Sequence, residues 1–321
     1  MNVFILSAYS DTNAILTSTY VKESAEIDLF GKYQLVEKVE HADLILFVEN
    51  HPGEDPYFFN VLKHPIYKEY RDRCVLYHDN DHSLTFLPTI SPSILKKHYN
   101  QNIHRSFNYI TQFSSNPYLD NLNLSVEKKF LSSFIGASRT HPVRKELFKH
   151  KFNRSFLKDT SHQNSWELSS AEKEGYFKQY AEVSEQSKFI LCPRGIGPSS
   201  YRLYESLRMG IAPVIISDEF VPPLGPDWND FSIRVKEDNL NQIEHILQER
   251  EDEYERLGKA AREAWENFFS KDKQFHYLVE AGLSIKGELN TLSYISQYKR
   301  FITSSFHLRN LLRYVRSKIQ K

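Results

Sequence analysis

Residues 187–218, SKFILCPRGIGPSSYRLYESLRMGIAPVIISD, constrain what this chain can fold into more than any other stretch. The apolar run 188–192 has the length and composition of a buried strand. A loop follows, Pro193-Arg194-Gly195-Ile196-Gly197-Pro198. Ser199 or Ser200 then stands where a helix N-cap belongs. The helix is expected to run to about Arg208, and Gly210 lies where helices commonly stop. A second apolar run, 213–216, ends at Ser217-Asp218. Strand, glycine loop, helix, strand is a βαβ crossover, which requires a parallel sheet.

The chemistry of such a unit belongs at the loop-to-helix joint. A helix N-terminus offers free N–H groups and partial positive charge, which suit a phosphate. Glycines let the backbone approach a ligand closely. Arg194 in the loop and Arg202 early in the helix are two-pronged donors that match a diphosphate. Glu205 follows Arg202 by three residues, on the same helical face. A carboxylate there can accept both hydroxyls of a ribose. The plain alternative is an ordinary strand-loop-helix with surface arginines.

With 321 residues, the chain can hold two domains. Its formal net charge is zero, which argues against a nucleic-acid binder working through bulk charge. Cys74 and Cys192 are its two cysteines, each in an expected strand. They read as small core residues in a reducing compartment. No apolar run of about 18 residues and no signal-peptide pattern is present, so the expectation is a soluble, cytoplasmic protein.

Three more strand ends bear polar residues. Residues 1–8 form an apolar run, with Asp11 just beyond as a helix N-cap or a site residue. Residues 41–48 form another, ending at Glu49, Asn50 and His51. Residues 73–77 lead into His78-Asp79-Asn80-Asp81-His82. Ligands of open α/β sheets sit beyond such C-terminal strand ends. Asp79 and Asp81 form a D-x-D pattern suited to a divalent metal, or one of them is a general base. A polar turn is the bland reading. A short strand is expected at 33–39 and an edge strand at 109–113, with a linker near 114–127. Residues 127–135 start a second strand–glycine loop–helix unit, in which Arg139 and Arg144 can reach a phosphate. Residues 153–166 show no clear pattern. Residues 291–321 are helical by spacing. From Lys299 onward they hold seven Lys or Arg and no acid. Such a basic amphipathic helix packs back on the first domain or lies on an anionic membrane.

Residues 188–235 carry a longer set of fixed positions. They include Lys188-Phe189-Ile190-Leu191-Cys192-Pro193-Arg194-Gly195, then Ser200-Tyr201-Arg202-Leu203-Tyr204-Glu205. Gly210 through Asp218, Val221-Pro222-Pro223-Leu224 and Trp228-Asn229-Asp230-Phe231-Ser232 complete them. In this order they resemble the exostosin family, glycosyltransferase family 47. The resemblance covers roughly residues 127–240.

It implies an α/β, GT-B architecture of two Rossmann-like domains facing across a cleft. Residues 1–120 would bind the acceptor and 127–285 the nucleotide sugar, with 286–321 expected as C-terminal helices that pack back on the N-terminal domain. The implied reaction is an inverting transfer from a nucleotide-diphosphate sugar, a UDP-sugar above others, to a glycan or lipid-linked glycan. No metal cofactor is expected. Carried over by position, Arg194, Gly195, Ser199, Ser200 and Arg202 would hold the diphosphate and Glu205 the ribose; Arg139 and Arg144 join them as donor-side candidates from the second strand–loop–helix unit. Asp79, Asp81 and Glu49 are the base candidates. Two positions depart from the family: Ile196 stands where an acid is common, and Ser206 where alanine is usual. Two alternatives stay open: a non-catalytic nucleotide-binding protein of the same fold, and a metal-dependent transferase using Asp79 and Asp81.

Overall fold

A computed structural model describes residues 1–10, 12–50, 55–81, 84–110, 116–162, 169–285, 287 and 289–319. The chain forms two units. The first comprises Met1–Thr111, Val221–Leu224 and Ser270–Lys321, the second Gln112–Phe220 and Gly225–Phe269. In chain order, the first unit opens with β1 (Asn2–Leu6), α1 (Thr12–Glu26), β2 (Gln34–Leu35) and β3 (Leu44–Glu49). It continues with α2 (Phe59–Lys63), α3 (Pro65–Glu69), β4 (Cys74–His78), β5 (Thr89–Ile90) and β6 (His104–Arg105). The second unit holds β7 (Phe130–Gly136), α4 (Pro142–Leu147), β8 (Ser155–Asp159), α5 (Ser170–Glu185) and β9 (Ser187–Pro193). Then come α6 (Tyr201–Met209), β10 (Ala212–Ile216), β11 (Ile233–Arg234), α7 (Ile243–Glu249) and α8 (Tyr254–Ala264). Three helices, α9 (Lys271–Leu283), α10 (Thr291–Thr303) and α11 (Ser305–Ile319), return to the first unit.

The first sheet runs β2-β1-β3-β4-β5-β6, with every pairing parallel. Successive side chains of a strand point to opposite faces, so a strand covered on both sides reads as one apolar run. In β3, Leu44, Leu46 and Val48 share a core with Phe275, Leu278 and Val279 of α9. Ile45 and Phe47 join Phe58, Val61 and Tyr67 on the other side. The chain leaves β1 for β2 on one side and returns for β3 on the other. The topological switch point of this sheet therefore lies between β1 and β3.

The second sheet runs β11-β10-β9-β7-β8, again with every pairing parallel. Its switch point lies between β7 and β9, whose last residues are Gly136 and Pro193. Phe189 and Leu191 of β9 pack with Val214 and Ile216 of β10 and with Leu131 and Phe134 of β7. Both cysteines are buried and free, each within a strand.

Four local expectations change. The strand expected at 33–39 shrinks to Gln34–Leu35. No strand forms at 109–110, and 111–113 lie outside the described residues. There the Tyr77 hydroxyl donates to Asn108 O at 2.9 Å and accepts from Ile110 N at 3.0 Å, taking backbone groups that a ladder would have used. The patternless 153–166 holds β8, whose five residues are all half-buried and so lack a clean alternation. The second unit ends at Phe269 rather than near residue 285, because α9 fills the core of the first sheet. α10 and α11 also belong to the first unit, where Phe301 meets the Tyr57 ring edge-on at 4.8 Å.

Candidate functional site

The switch point of an open parallel sheet is where adjacent loops part and leave room for a ligand. In the second unit it is bordered by the β7 end, the loop after β9 and the start of α6. The local fold follows from residue types. Gly210 ends α6 in the left-handed region, φ 71° and ψ 34°, where a side chain would be strained. Ser206, where the family favours alanine, donates its hydroxyl to Ile211 O at 2.5 Å and so ties α6 to the entry of β10. The family positions Trp228 and Phe231 are buried supports. Trp228 packs on Phe231 at 5.1 Å and meets Tyr204 of α6 edge-on.

Two of the four arginines brace this edge. Arg144 is buried, and its Nε donates to Arg194 O at 2.9 Å and to Pro193 O at 3.2 Å. Its Nη2 donates to Pro193 O at 3.0 Å. Arg202 donates from Nε to Ile135 O at 2.5 Å and from Nη2 to the Tyr176 hydroxyl at 2.9 Å. Arg144 thus holds the glycine loop to α4, and Arg202 holds α6 to β7. Both guanidiniums lie over the Phe134 ring, at 5.3 and 5.9 Å from its centroid. Gly136 makes room for this stack, since a Cβ there would lie 2.7 Å from Phe134 Cζ. The sequence suggested phosphate contacts for Arg144 and Arg202; the bonds seen here tie them to the ends of β7 and β9, the residue after β9 and the Tyr176 hydroxyl of α5.

Arg194 differs. It is 8% exposed, and its Nη2 reaches Ile196 O at 3.3 Å while Nη1 lies 3.7 Å from Glu237 Oε1. Its Nε is buried without a hydrogen-bond partner, as are the hydroxyls of Ser200 and Ser217. Ser217 directly follows β10, and Ser200 holds the N-cap position of α6 without capping it. Ser199 is buried beside the Tyr204 hydroxyl. A buried donor left unsatisfied costs about 1–3 kcal/mol, which a ligand oxygen can recover. Glu205 lies half-exposed on α6, and Gly195 packs 3.4 Å from Arg144 Nη2, measured from the position a Cβ would take.

Arg139 is exposed and anchored to Ser161, its N donating to Ser161 Oγ at 3.1 Å and its Nη1 to Ser161 O at 2.8 Å. Sequence reasoning missed what sets this geometry. Asp159, the last residue of β8, accepts the Ser138 amide and hydroxyl at 2.9 and 2.6 Å and those of Ser161 at 2.9 and 2.7 Å. Burial works against ionisation at Asp159, yet these four donors hold its carboxyl well below the usual range. Its only signal is the D-x-S that follows a strand without alternation. His141 was also missed. Burial, then the charges of Arg194 and Arg144, push it down to about 4, so it is neutral near pH 7.

In the first unit the base candidates separate. Glu49 ends β3 at the switch point and is fully buried. It accepts the Ser7 hydroxyl at 2.6 Å and the Ala8 amide at 2.7 Å, joining β3 to the loop after β1. Burial raises its carboxyl to about 8, against the pull of those two bonds. Both carboxyl oxygens are taken up by these donors, which is the geometry of a brace between the two strand ends. Asp79 and Asp81 follow β4, the first buried and the second exposed. Asp11, His51 and His82 lie outside the described residues. Among the described residues no three His, Cys, Asp or Glu side chains stand together as a metal-binding group.

Two Rossmann-like units, each built on a parallel sheet with polar groups at its switch point, are the building blocks of the GT-B fold. Residues 52–250 match the Exostosin GT47 domain, and the chain belongs to that family. An exostosin-1 homolog from Caenorhabditis elegans is 30% identical over 135 residues, covering 38% of this chain and 35% of that protein. A probable glucuronosyltransferase from Oryza sativa subsp. japonica is 39% identical over 70 residues, 21% of this chain and 17% of that protein. The match thus spans about a third or less of these curated relatives. A glycosyltransferase structure from Rickettsia africae ESF-5 aligns over 88% of this chain and 98% of its own, at 11% identity and a TM-score of 0.43.

Proposed function

We propose that the chain transfers a sugar from a nucleotide-diphosphate sugar, most simply a UDP-sugar, to a glycan or lipid-linked glycan with inversion at the anomeric carbon. The observation that carries this reading is the set of unspent donors on Arg194, Ser200 and Ser217, which follow β9, open α6 and follow β10 in turn. They suit an oxygen-rich anion, and the first turn of α6 adds free N–H groups. Glu205 takes the ribose hydroxyls, and Arg139, exposed in the turn after β7, adds a cation. Arg144 and Arg202 keep the two strand ends in register, with Gly195 allowing close approach.

The reaction is a single displacement. An acceptor hydroxyl gives its proton to a carboxylate at the end of β4, Asp79 or Asp81, while its oxygen bonds to the anomeric carbon. The bond from that carbon to the diphosphate oxygen breaks, and UDP leaves with the electron pair. Arg194 and the helix N-terminus stabilise the growing charge. The family resemblance favours a reaction without a divalent metal; we place that reaction in the cytoplasm or at the inner face of a membrane.

Donor turnover tests this directly. Hydrolysis of UDP-sugars and their transfer to glycan acceptors are measured with and without EDTA. Arg194→Ala should lower kcat/KM about 30-fold, corresponding to about 2 kcal/mol for a charge-assisted contact. Full activity in that variant would remove the donor assignment. Loss of activity in EDTA, restored by Mn or Mg, would favour the metal-dependent reading at Asp79 and Asp81. Tight UDP binding with no turnover on any donor would favour the non-catalytic one.

A further inference from the structure

α10 and α11 each bury one face and leave another apolar face in water. Gln297 and Phe301 of α10 are buried, and His307 of α11 shares a 2.8 Å hydrogen bond with the buried Tyr57 hydroxyl. On the outer side of α10, Leu292, Ile295, Tyr298 and Ile302 are exposed, the last by 64%. On α11, Leu308, Leu312, Val315 and Ile319 follow one another at helical spacing, and Leu312 is 53% exposed. No other stretch of the described chain shows as many exposed large apolar side chains. A soluble protein seldom leaves such a stripe uncovered without a partner for it.

The charge around the stripe selects the partner. Lys299 falls within the α10 stripe, and Arg309 and Arg316, both exposed, each follow an apolar residue of the α11 stripe. Residues 291–321 contain no acid at all. A second copy of this surface would bring cations against cations. The helices have 13 and 15 residues, against about 20 needed to cross a bilayer. Among the described residues no helix is long and apolar enough to cross. An apolar stripe bordered by cations fits a surface that is apolar just beneath an anionic layer.

We infer that α10 and α11 form a docking surface for an anionic phospholipid bilayer. Leu292, Ile302, Leu312 and Ile319 enter the acyl boundary, and Lys299, Arg309 and Arg316 meet headgroup phosphates. This gives a definite surface to the peripheral membrane attachment proposed above. It needs no donor sugar, so it stands or falls apart from the transfer reaction.

The test is flotation of the full chain with phosphatidylcholine vesicles, either pure or carrying about a quarter phosphatidylglycerol. The chain should float with the anionic vesicles, weakly with neutral ones, and less in high salt. Each surface cation contributes about fivefold in affinity, so Arg309→Glu with Arg316→Glu should weaken binding at least about 25-fold. Ile302→Glu with Leu312→Glu should abolish it while leaving the thermal melt unchanged, because both positions are exposed. Equal binding to neutral vesicles, binding to neither, or variants that bind like the wild type would overturn the inference. So would a wild-type dimer that Leu312→Glu dissociates, which would assign the stripe to a second copy.

Discussion

A buried guanidinium nitrogen without a partner is costly to keep, and Arg194 keeps one. Arg144 donates to the carbonyls of Pro193 and Arg194, and Arg202 to the Ile135 carbonyl and the Tyr176 hydroxyl. This difference could not be seen in the sequence, where all three read as phosphate ligands. Residue type is legible in a one-dimensional pattern; which donor is already used depends on strands brought together by the fold. Glu49 makes the same point. Its place at a strand end is legible, but the Ser7 and Ala8 donors that fix it come from some 40 positions earlier. Burial raises its carboxyl to about 8 from an ordinary value near 4.5. A raised carboxyl stabilises the fold fully below the ordinary value and loses that contribution as pH climbs through about 8. Glu49→Gln removes the titration. Thermal melts from pH 5 to about 9 should therefore fall more steeply for the wild type than for this variant, and parallel curves would contradict the assignment.

At the scale of elements, the crossover of β9, α6 and β10 is the most legible part of the chain. Its strands are short apolar runs, its loop is marked by glycine and proline, and Gly210 ends the helix in the conformation that glycine favours. β8 is not legible, because a half-covered edge strand carries neither a continuous nor an alternating pattern. The run at 109–110 misleads for another reason: apolar residues signal burial, and burial was met without a ladder through Tyr77. The end of β7 shows how elements share one site. Phe134 lies under two arginines, and Gly136 leaves its ring free. Gly136→Ala should push that ring against its neighbours and cost about 2 kcal/mol, within the usual range for overpacking. Denaturant melts would measure the loss, with a matching fall in UDP affinity as both braces shift. A variant as stable as the wild type would show that the stack is looser than its geometry implies.

For the whole molecule, the recurring device is a parallel sheet with its working residues at the switch point. The first unit gathers Ser7, Ala8 and Glu49 there, and the second Gly136, Pro193 and Arg194. The α/β character was legible from repeated strand–loop–helix patterns, and the GT-B arrangement and the family from the resemblance carried by the positions between Lys188 and Phe231. The domain boundary was not, since α9 follows the second unit in sequence but fills the core of the first. The central claim is that the second unit's switch point holds a nucleoside diphosphate through Arg194. Thermal melting of the full chain against UDP, in buffer containing EDTA, tests it most directly. UDP at about a hundred times its dissociation constant should raise stability by about 2.7 kcal/mol, and uridine should not. Arg194→Ala should need about 30-fold more UDP for the same rise. No shift with UDP or any other nucleoside diphosphate, or an unchanged UDP midpoint in Arg194→Ala, would contradict the claim.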